Sequence, residues 1–339
     1  MTAAPELTGD AAAGILKEHY GIEGRLKSLV SERDQNFLVT ASTGVEYVFK
    51  IANSAEHWDV TDFQTKALQH LEHSGSDLPV PRVVRTQNGE SQILIAGENG
   101  RTHCARVLSW LPGVPLKAIE GGLRDPSQLG ALLARLGIAL SEFRHPMSNY
   151  ALLWDIKRAD KIRMLLDDVA DRNLRDRCQE HIDRFVRNIE PTLRTLRTQV
   201  IYNDLNPSNV LADPERPGTV TGIIDFGDMV ESPLVVDVAV ACAYLCNDSA
   251  KPLSNVMNFV KGYNRVNKLE SEEIELLFEL MLLRHVVTVL ITNWRASQYP
   301  DNKEYILRNE PRARRTIELL AEMNAEDVAK RIRVACNES

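Results

Sequence analysis

The first hundred residues alternate apolar and polar positions in short runs, a pattern typical of β-strands. Thr43 and Gly44 separate two of these runs and indicate a hairpin. Residues 57–75 instead show helical spacing, and Gly75 suits a C-terminal cap. The predicted strands are residues 37–42, 46–52, 91–97 and 102–111. This part of the chain is therefore expected to form a small antiparallel sheet with one main helix.

After a break at 111–116 the apolar spacing becomes helical. Asp125 suits an N-cap, Pro126 suits the first helical position, and Gln128 completes a potential capping box. Further helical patterns cover residues 156–172, 175–197, 233–246, 271–294 and 310–335. The second part of the chain is therefore predicted to be mostly helical.

The change of pattern predicts an α+β fold with two lobes. A length of 339 residues also favours two units over one simple core. The predicted division is a β-rich N-lobe at 1–108, a hinge at 109–113, and a larger helical C-lobe at 114–339.

Composition narrows the class of protein. The net charge of −7 disfavours a nucleic-acid partner, because phosphate contacts need a basic surface. Five cysteines without a C-x-x-C pair favour a reduced, cytoplasmic protein over a disulfide scaffold or zinc site. The first twenty residues lack the pattern of a signal peptide. The apolar run at 274–294 contains charged residues and predicts a buried helix, so no membrane partner is expected. Oligomeric state is left open.

The segment "IYNDLNPSNVLADPERPGTVTGIIDFGD" (201–228) concentrates candidate chemistry. Two short β-like runs flank a turn-rich stretch and predict a hairpin. Asn209 precedes its first strand and Asp225 follows its second, so their oxygens are expected to lie together at the open end. Carboxylate and amide oxygens suit Mg²⁺. Asp204 in the entering loop is a candidate for orienting or deprotonating a hydroxyl. Phosphoryl transfer requires these groups: an Asp and an Asn that hold the metal, and a second Asp at the attacking oxygen.

This arrangement resembles the catalytic and metal loops of kinases, D-L-x-x-x-x-N followed by D-F-G. "IDFGD" is most similar to the aminoglycoside phosphotransferase and choline-kinase-like group, which has a protein-kinase-like two-lobed fold. The resemblance implies Asp204 as the catalytic residue, Asn209 and Asp225 as Mg²⁺ ligands, and ATP or GTP as co-substrate. Tyr202 and Asn203 depart from the family's His-Gly-Asp or His-Arg-Asp pattern.

On the nucleotide side, Lys50 resembles the kinase lysine that contacts phosphates. The kinase glycine-rich loop is absent, and "SERDQNF" (31–37) takes its place. The polar candidates there for phosphate binding are Ser31, Gln35 and Asn36; an ordinary hairpin tip is an equal alternative.

Two further features of the nucleotide side are predicted. Gln64 has the best-placed side chain on the helix to pair with Lys50, where kinases use a glutamate. Backbone groups from Ser109 to Leu111, in "RVLSWLPG", are expected to bind the purine. The sequence does not distinguish adenine from guanine.

The acceptor is expected to be small, because an apolar helix follows the metal loop almost at once and leaves no platform for a peptide. Several segments, "YVFKIAN" and "YNDLNPSNVL" among them, look most similar to hydroxylysine-kinase-like proteins, which implies an amino acid or amino alcohol. The candidate acceptor-binding residues are Asp228, Glu231, Trp154 and Arg284. A structural ion pair is an equal alternative for Arg284. Other functions left open are an aminoglycoside phosphotransferase, a homoserine, choline or ethanolamine kinase, and a nucleotide-binding pseudokinase.

Overall fold

A computed structural model of the chain describes residues 5–31, 33–97, 100–216, 218–246 and 251–338. The strands are β1 (Gly24–Leu29), β2 (Gln35–Ala41), β3 (Glu46–Ile51), β4 (Val83–Val84), β5 (Ile93–Ala96), β6 (Thr102–Ser109), β7 (Val114–Pro115), β8 (Thr198–Ile201), β9 (Val210–Ala212), β10 (Val220–Ile223) and β11 (Val230–Pro233). The α-helices are α1 (Gly9–Ile15), α2 (Trp58–His73), α3 (Pro126–Leu140), α4 (Arg172–Arg184), α5 (Glu190–Leu193), α6 (Leu234–Leu245), α7 (Ser254–Asn264), α8 (Ser271–Gln298), α9 (Lys303–Leu307), α10 (Glu310–Ala321) and α11 (Ala325–Asn337).

The N-terminal part forms the predicted antiparallel sheet, with strand order β1-β2-β3-β6-β4 and β5 paired to β6. The predicted strands and the α2 helix are confirmed. In the register of the central strands, Lys50 on β3 lies opposite Asn36 on β2 and Arg106 on β6. Residues that pair directly across neighbouring strands point to the same face of a sheet. These three side chains therefore share one face.

The helical C-terminal part agrees with most of the predicted spans. Asp125 caps α3 by accepting from the backbone N–H of Ser127 at 3.0 Å. The predicted capping box is not formed, because the Gln128 amide donates to the Asp125 carboxylate at 3.3 Å, whereas a capping box needs its oxygen to accept from the backbone N–H of Asp125. Helices α6 and α8 match the predictions for 233–246 and 271–294.

Two predicted helices are wrong in their detail. The span 156–172 forms 3₁₀ turns over Ile156–Asp168, with a non-helical Arg158 that interrupts the hydrogen-bond ladder. The span 310–335 is divided into α10 and α11, because the Asn324 side chain accepts from the backbone N–H of Asp327 and caps a new helix. Such a cap is a common helix start.

The buried apolar residues form two clusters. The smaller cluster lies on the N-terminal sheet and includes Phe37, Phe49 and Val107. The larger cluster fills the helical part, and the buried face of α2 belongs to it. Phe63 of α2 stacks on Phe143 beyond the end of α3, with ring centroids 5.9 Å apart. Helix α2 therefore packs with the core of the helical part.

Helix α8 passes through the centre of the larger core. Both Arg284 and His285 are buried in its middle. In the part of the chain that the structure describes, no helix has the length and apolarity to cross a membrane.

The predicted hairpin at 210–224 is present. Strands β9 and β10 pair antiparallel, and β7 pairs with the other edge of β9. Strands β8 and β11 form a separate two-stranded ribbon. The catalytic-loop segment therefore lies between β8 and β9, and the metal-loop segment lies between β10 and β11.

Candidate active site

The two loops of the site have unusual backbone conformations. Asn203 (φ 64°) and Asp225 (φ 61°) are the non-glycine residues with positive φ among the described residues. Asparagine and aspartate tolerate this region better than most residues, and strained backbone positions cluster at functional sites. One such residue lies in each loop.

Asp237 on α6 holds the catalytic loop. Its carboxylate accepts from the backbone N–H of Asn203 at 2.7 Å and from that of Tyr202 at 3.2 Å. The residue is 1% exposed, and burial raises the pKa of its carboxyl to about 6. Asp237 therefore serves as a structural anchor for the strained turn.

Replacing Asp237 with asparagine is expected to lower the free energy of unfolding by about 1–3 kcal/mol, because a charged acceptor of two buried N–H groups is lost. Turnover is expected to fall as well, because the catalytic loop loses its anchor. Chemical denaturation and steady-state rates measure the two effects. D176N, a change at an exposed site on α4, is the control. Unchanged stability in D237N would refute the anchoring role.

Tyr202 occupies the position where the resembled family has histidine. Its hydroxyl donates to the backbone carbonyl of Ile224, and its ring packs edge-on against Phe226 at 5.0 Å. The side chain is fully buried. Tyr202 thus connects the catalytic loop to the metal loop.

Asp204 lies in a recess with two amide groups directed at it. Asn209 Nδ2 donates to Asp204 Oδ2 at 2.6 Å, and Asn206 Nδ2 donates to Oδ1 at 2.9 Å. Burial raises the pKa of Asp204 to about 8, the charge of Asp228 adds to the rise, and Arg284 opposes it. Strongly shifted carboxyl groups of this kind are typical of catalytic sites.

Asn209 and Asp225 lie on neighbouring backbone segments, since the N–H of Ile224 donates to the carbonyl of Asn209 at 2.9 Å. Lys50 Nζ lies 3.8 Å from Asp225 Oδ1, and its charge lowers the pKa of that carboxyl. Within the described residues, no donor reaches Asn209 Oδ1. One amide oxygen and one ionised carboxylate are the hard oxygen donors that Mg²⁺ prefers.

The cavity beside Lys50 contains two of the three predicted phosphate-loop residues. Ser31 and Asn36 line it together with Lys50 and Asp225. Gln35 does not, because its amide exchanges two 2.9 Å hydrogen bonds with the backbone of Leu7. Neighbouring strand residues point to opposite faces, so Gln35 and Asn36 cannot both reach the cavity. Glu32 of the same loop lies outside the described residues.

The predicted pairing of Gln64 with Lys50 is wrong. Gln64 Oε1 accepts from Arg106 Nη2 at 2.7 Å, and Gln64 Nε2 donates to the carbonyl of Gly227 at 3.3 Å. Lys50 faces Asp225 instead. Arg106 lines the same cavity and was not identified from the sequence. An arginine between the apolar pairs Cys104-Ala105 and Val107-Leu108 of a predicted strand was the available signal, since a buried charge needs a partner.

The segment after β6 offers one backbone donor for a base. The N–H of Ser109 donates to the carbonyl of Arg82 at 2.9 Å, so this group is occupied. Trp110 N–H likewise donates to Glu46 at 3.2 Å. Within the described residues, the N–H of Leu111 has no acceptor. Leu111 also packs over Gly222, where a Cβ would lie 2.8 Å from its Cδ1.

On the other side of Asp204, a buried arginine is surrounded by aromatic groups. Arg284 Nη2 lies 3.5 Å from Asp204 Oδ1, and Nη1 donates to the carbonyl of Trp154 at 3.0 Å. Its guanidinium carbon lies 5.0 Å from the centroid of the Trp154 ring and 5.9 Å from that of Tyr244. The structure therefore brings Trp154 and Arg284 together beside Asp204, with Tyr244 as an addition that the sequence did not suggest.

The remaining two candidate residues for binding the phosphate acceptor, Asp228 and Glu231, have different surroundings. Asp228 follows the metal loop, and Arg33 Nη2 lies 3.7 Å from its Oδ1. Glu231 lies on β11, where its carboxylate accepts from the Ser148 hydroxyl at 2.6 Å. The structure therefore places Asp228 beside the other site residues and engages Glu231 in a contact within the helical part.

Comparisons with known proteins identify the family. A model described as the APH phosphotransferase enzyme family matches residues 26–268. Mouse hydroxylysine kinase is 27% identical over 329 residues, covering 90% of this chain and 87% of the mouse protein. A homoserine kinase of Sinorhizobium medicae is 27% identical over 254 residues, covering 72% of this chain and 71% of that protein.

A solved structure shares the fold. It is amicoumacin kinase hAmiN in complex with AMP-PNP, Ca²⁺ and Ami, with a TM-score of 0.73 and 16% identity. The alignment covers 95% of this chain and 97% of that chain. The predicted protein-kinase-like two-lobed fold is thereby confirmed; the division at 109–113 stays a prediction.

Proposed function

The chain belongs to the APH phosphotransferase enzyme family and is a small-molecule kinase, and on that premise we propose that it transfers the γ-phosphate of ATP or GTP to a hydroxyl of a small amino acid or amino alcohol. The observation that carries this proposal is a chain of contacts: Asn209 donates to Asp204 and lies on the backbone segment next to Asp225, and Asp225 faces Lys50. The best candidate for the acceptor is a hydroxylysine-like amino acid.

In this proposal each residue has one task. Asp204 orients the acceptor hydroxyl and takes its proton as the oxygen attacks the γ-phosphorus. Asn209 Oδ1 and the Asp225 carboxylate would hold Mg²⁺, which would offset the negative charge of the phosphates when bound. Lys50, on the other side of Asp225, binds phosphate oxygens. The bond between the γ-phosphorus and the bridging oxygen breaks, and the nucleoside diphosphate leaves.

The position of Arg284 supports a phosphate acceptor that carries a carboxylate. A guanidinium next to the catalytic carboxylate favours an anionic group on the acceptor, and Asp228 is a candidate for its ammonium group. Hydroxylysine kinase and homoserine kinase, two of the similar proteins, are both named for hydroxylated amino acids. An aminoglycoside is polycationic, and the charge of Arg284 disfavours it.

A nucleotide-consumption screen tests the proposed function. Hydroxylysine, homoserine, ethanolamine, choline and kanamycin are offered as acceptors, each with ATP and with GTP in the presence of Mg²⁺. Phosphorylation of hydroxylysine or a similar amino acid is the expected result. Preference for kanamycin would support an antibiotic phosphotransferase. No turnover with any small hydroxylated amine would contradict the proposal.

Replacing Arg284 with glutamine is expected to reduce discrimination in favour of amino acids. Hydroxylysine and its decarboxylated analogue, 1,5-diamino-2-hydroxypentane, are compared as acceptors. The ratio of their kcat/KM values is expected to fall about 10–100-fold, the range for losing a hydrogen bond to a charged group. The ratio cancels any effect of Arg284 on Asp204. An unchanged ratio would assign Arg284 a structural role only.

A further inference from the structure

Arg106 is a second cation in the cavity that contains Lys50. The two residues lie directly opposite each other in the register of β3 and β6, so their side chains point to the same face of the sheet. Both line the cavity, together with Asp225 of the metal loop. The strand pairing therefore fixes two positive side chains next to each other at the proposed phosphate site.

Neutral groups of α2 hold Arg106 in place, while the carboxylates of Asp34, Glu56 and Asp225, which line the same cavity, act on its charge from beyond ion-pair distance. Its Nη1 donates to the Thr61 carbonyl at 2.9 Å and to the Thr65 hydroxyl at 2.6 Å. Its Nη2 donates to Gln64 Oε1 at 2.7 Å. All three acceptors are neutral groups of helix α2. In the described part of the chain, no carboxylate lies within 4 Å of the guanidinium.

A buried guanidinium with no carboxylate in direct contact is energetically unfavourable. Arg106 is 5% exposed, and burial lowers its pKa from the ordinary value. An interior that was selected only for stability would pair this charge or replace it. The neutral partners hold the guanidinium in one orientation and leave its charge available to an anion that enters the cavity.

We propose that Arg106 is a second phosphate-binding cation, which contacts the phosphate chain of the bound nucleotide together with Lys50. Gln64 and Thr65 position it. The inference rests on the proposed function only in requiring that the cavity binds a nucleotide. It also explains why α2 carries Gln64: a glutamate there would neutralise Arg106 and remove its attraction for phosphate.

The test compares binding of a nucleoside with binding of its triphosphate analogue. Adenosine and AMP-PNP, or guanosine and GMP-PNP, are titrated calorimetrically into wild type, R106Q and R106K. In R106Q the dissociation constant of the triphosphate analogue is expected to rise at least tenfold, while that of the nucleoside changes less than twofold. The dissociation constant of the triphosphate analogue for R106K is expected to lie between those for wild type and R106Q. R85Q, which removes an exposed positive charge from the same lobe, is the matched control.

A second pair of variants keeps the proposal testable if R106Q does not fold. Q64E keeps an acceptor for Arg106, adds a counter-charge and loses the donor to Gly227, whereas Q64M removes both hydrogen bonds of Gln64 without adding charge. Triphosphate binding is expected to be at least fivefold weaker in Q64E than in Q64M. Equal affinities in this pair, or equal losses for nucleoside and triphosphate in R106Q, would overturn the proposal.

The outcomes separate this inference from the proposed function. A wild-type protein that binds neither nucleoside nor triphosphate contradicts the function itself, and the inference with it. A wild type that binds the triphosphate, with variants that bind it equally well, contradicts only the role of Arg106. Weaker triphosphate binding in R106Q, with nucleoside binding retained, supports both the proposed function and the role of Arg106.

Discussion

Replacing Asp225 with asparagine is expected to lower kcat by about 10³-fold or more while leaving the fold intact. Asp225 supplies the carboxylate of the proposed Mg²⁺ pair, and removing one charge-stabilising group from a phosphoryl-transfer site has effects of this size. Lys50 also loses the charge that it faces. Steady-state kinetics over a range of Mg²⁺ concentrations, together with thermal unfolding, measure the change.

Asparagine is the appropriate substitute because the backbone at Asp225 has φ of 61°. Alanine at this position would add backbone strain to the loss of the ligand, whereas asparagine tolerates this conformation. D213N, at the far end of the same hairpin, is the control and is expected to behave like wild type. A D225N protein with a normal melting temperature and a near-normal rate would overturn the assignment of Asp225.

Replacing Asp204 with asparagine is expected to reduce kcat about 10²–10⁴-fold, the usual contribution of a general base. The substitution keeps the size of the side chain and removes the proton acceptor. Asn209 and Asn206 both donate to the native carboxylate, so one of these contacts loses its acceptor. Rates with a saturating amino-acid acceptor give the effect.

Nucleotide affinity is the internal control for D204N. In the proposed mechanism Asp204 acts on the acceptor hydroxyl, so the dissociation constant of AMP-PNP is expected to stay within about twofold of the wild-type value. Equal losses in nucleotide binding and in turnover would mean that the variant disturbs the whole site. Normal turnover would remove Asp204 from the mechanism and leave a different group to accept the proton.

The hairpin could be predicted because it is local in sequence. A turn-rich stretch between two short apolar runs already implies that Asn209 and Asp225 meet at its open end. Asp204 lies five residues before Asn209, so it had to lie nearby. The larger core has the same local basis, because the apolar stripe of α3 and the nearly continuous apolar runs of α6 and α8 are visible in the sequence.

The partners of Gln64 could not be predicted, because they depend on contacts far apart in the chain. The pairing of β3 with β6 decides whether Lys50 or Arg106 faces α2, and the paired residues are more than fifty positions apart in the chain. Gln35 is a different case. The alternation of side chains along a strand allows only one of Gln35 and Asn36 to face the cavity, although the sequence alone does not say which one.

Similarly, the division of 310–335 into two helices had a visible signal. Asn324 with Asp327 three residues later is a capping pattern inside an otherwise continuous apolar spacing. The prediction of one helix followed the apolar spacing alone, which continues on both sides of this cap. The 3₁₀ turns at Ile156–Asp168 offered no comparable signal.

The packing of Phe63 against Phe143 has a mechanical consequence. Because helix α2 packs with the larger core, widening the cavity beside Lys50 would separate α2 from the sheet. That separation would break the hydrogen bonds from Arg106 to Thr61, Gln64 and Thr65, together with those of Thr65 with Gln92 and of Gln69 with Ser91. Nucleotide exchange in this protein is thus expected to be gated by a tilt of the β-sheet, with α2 remaining stationary.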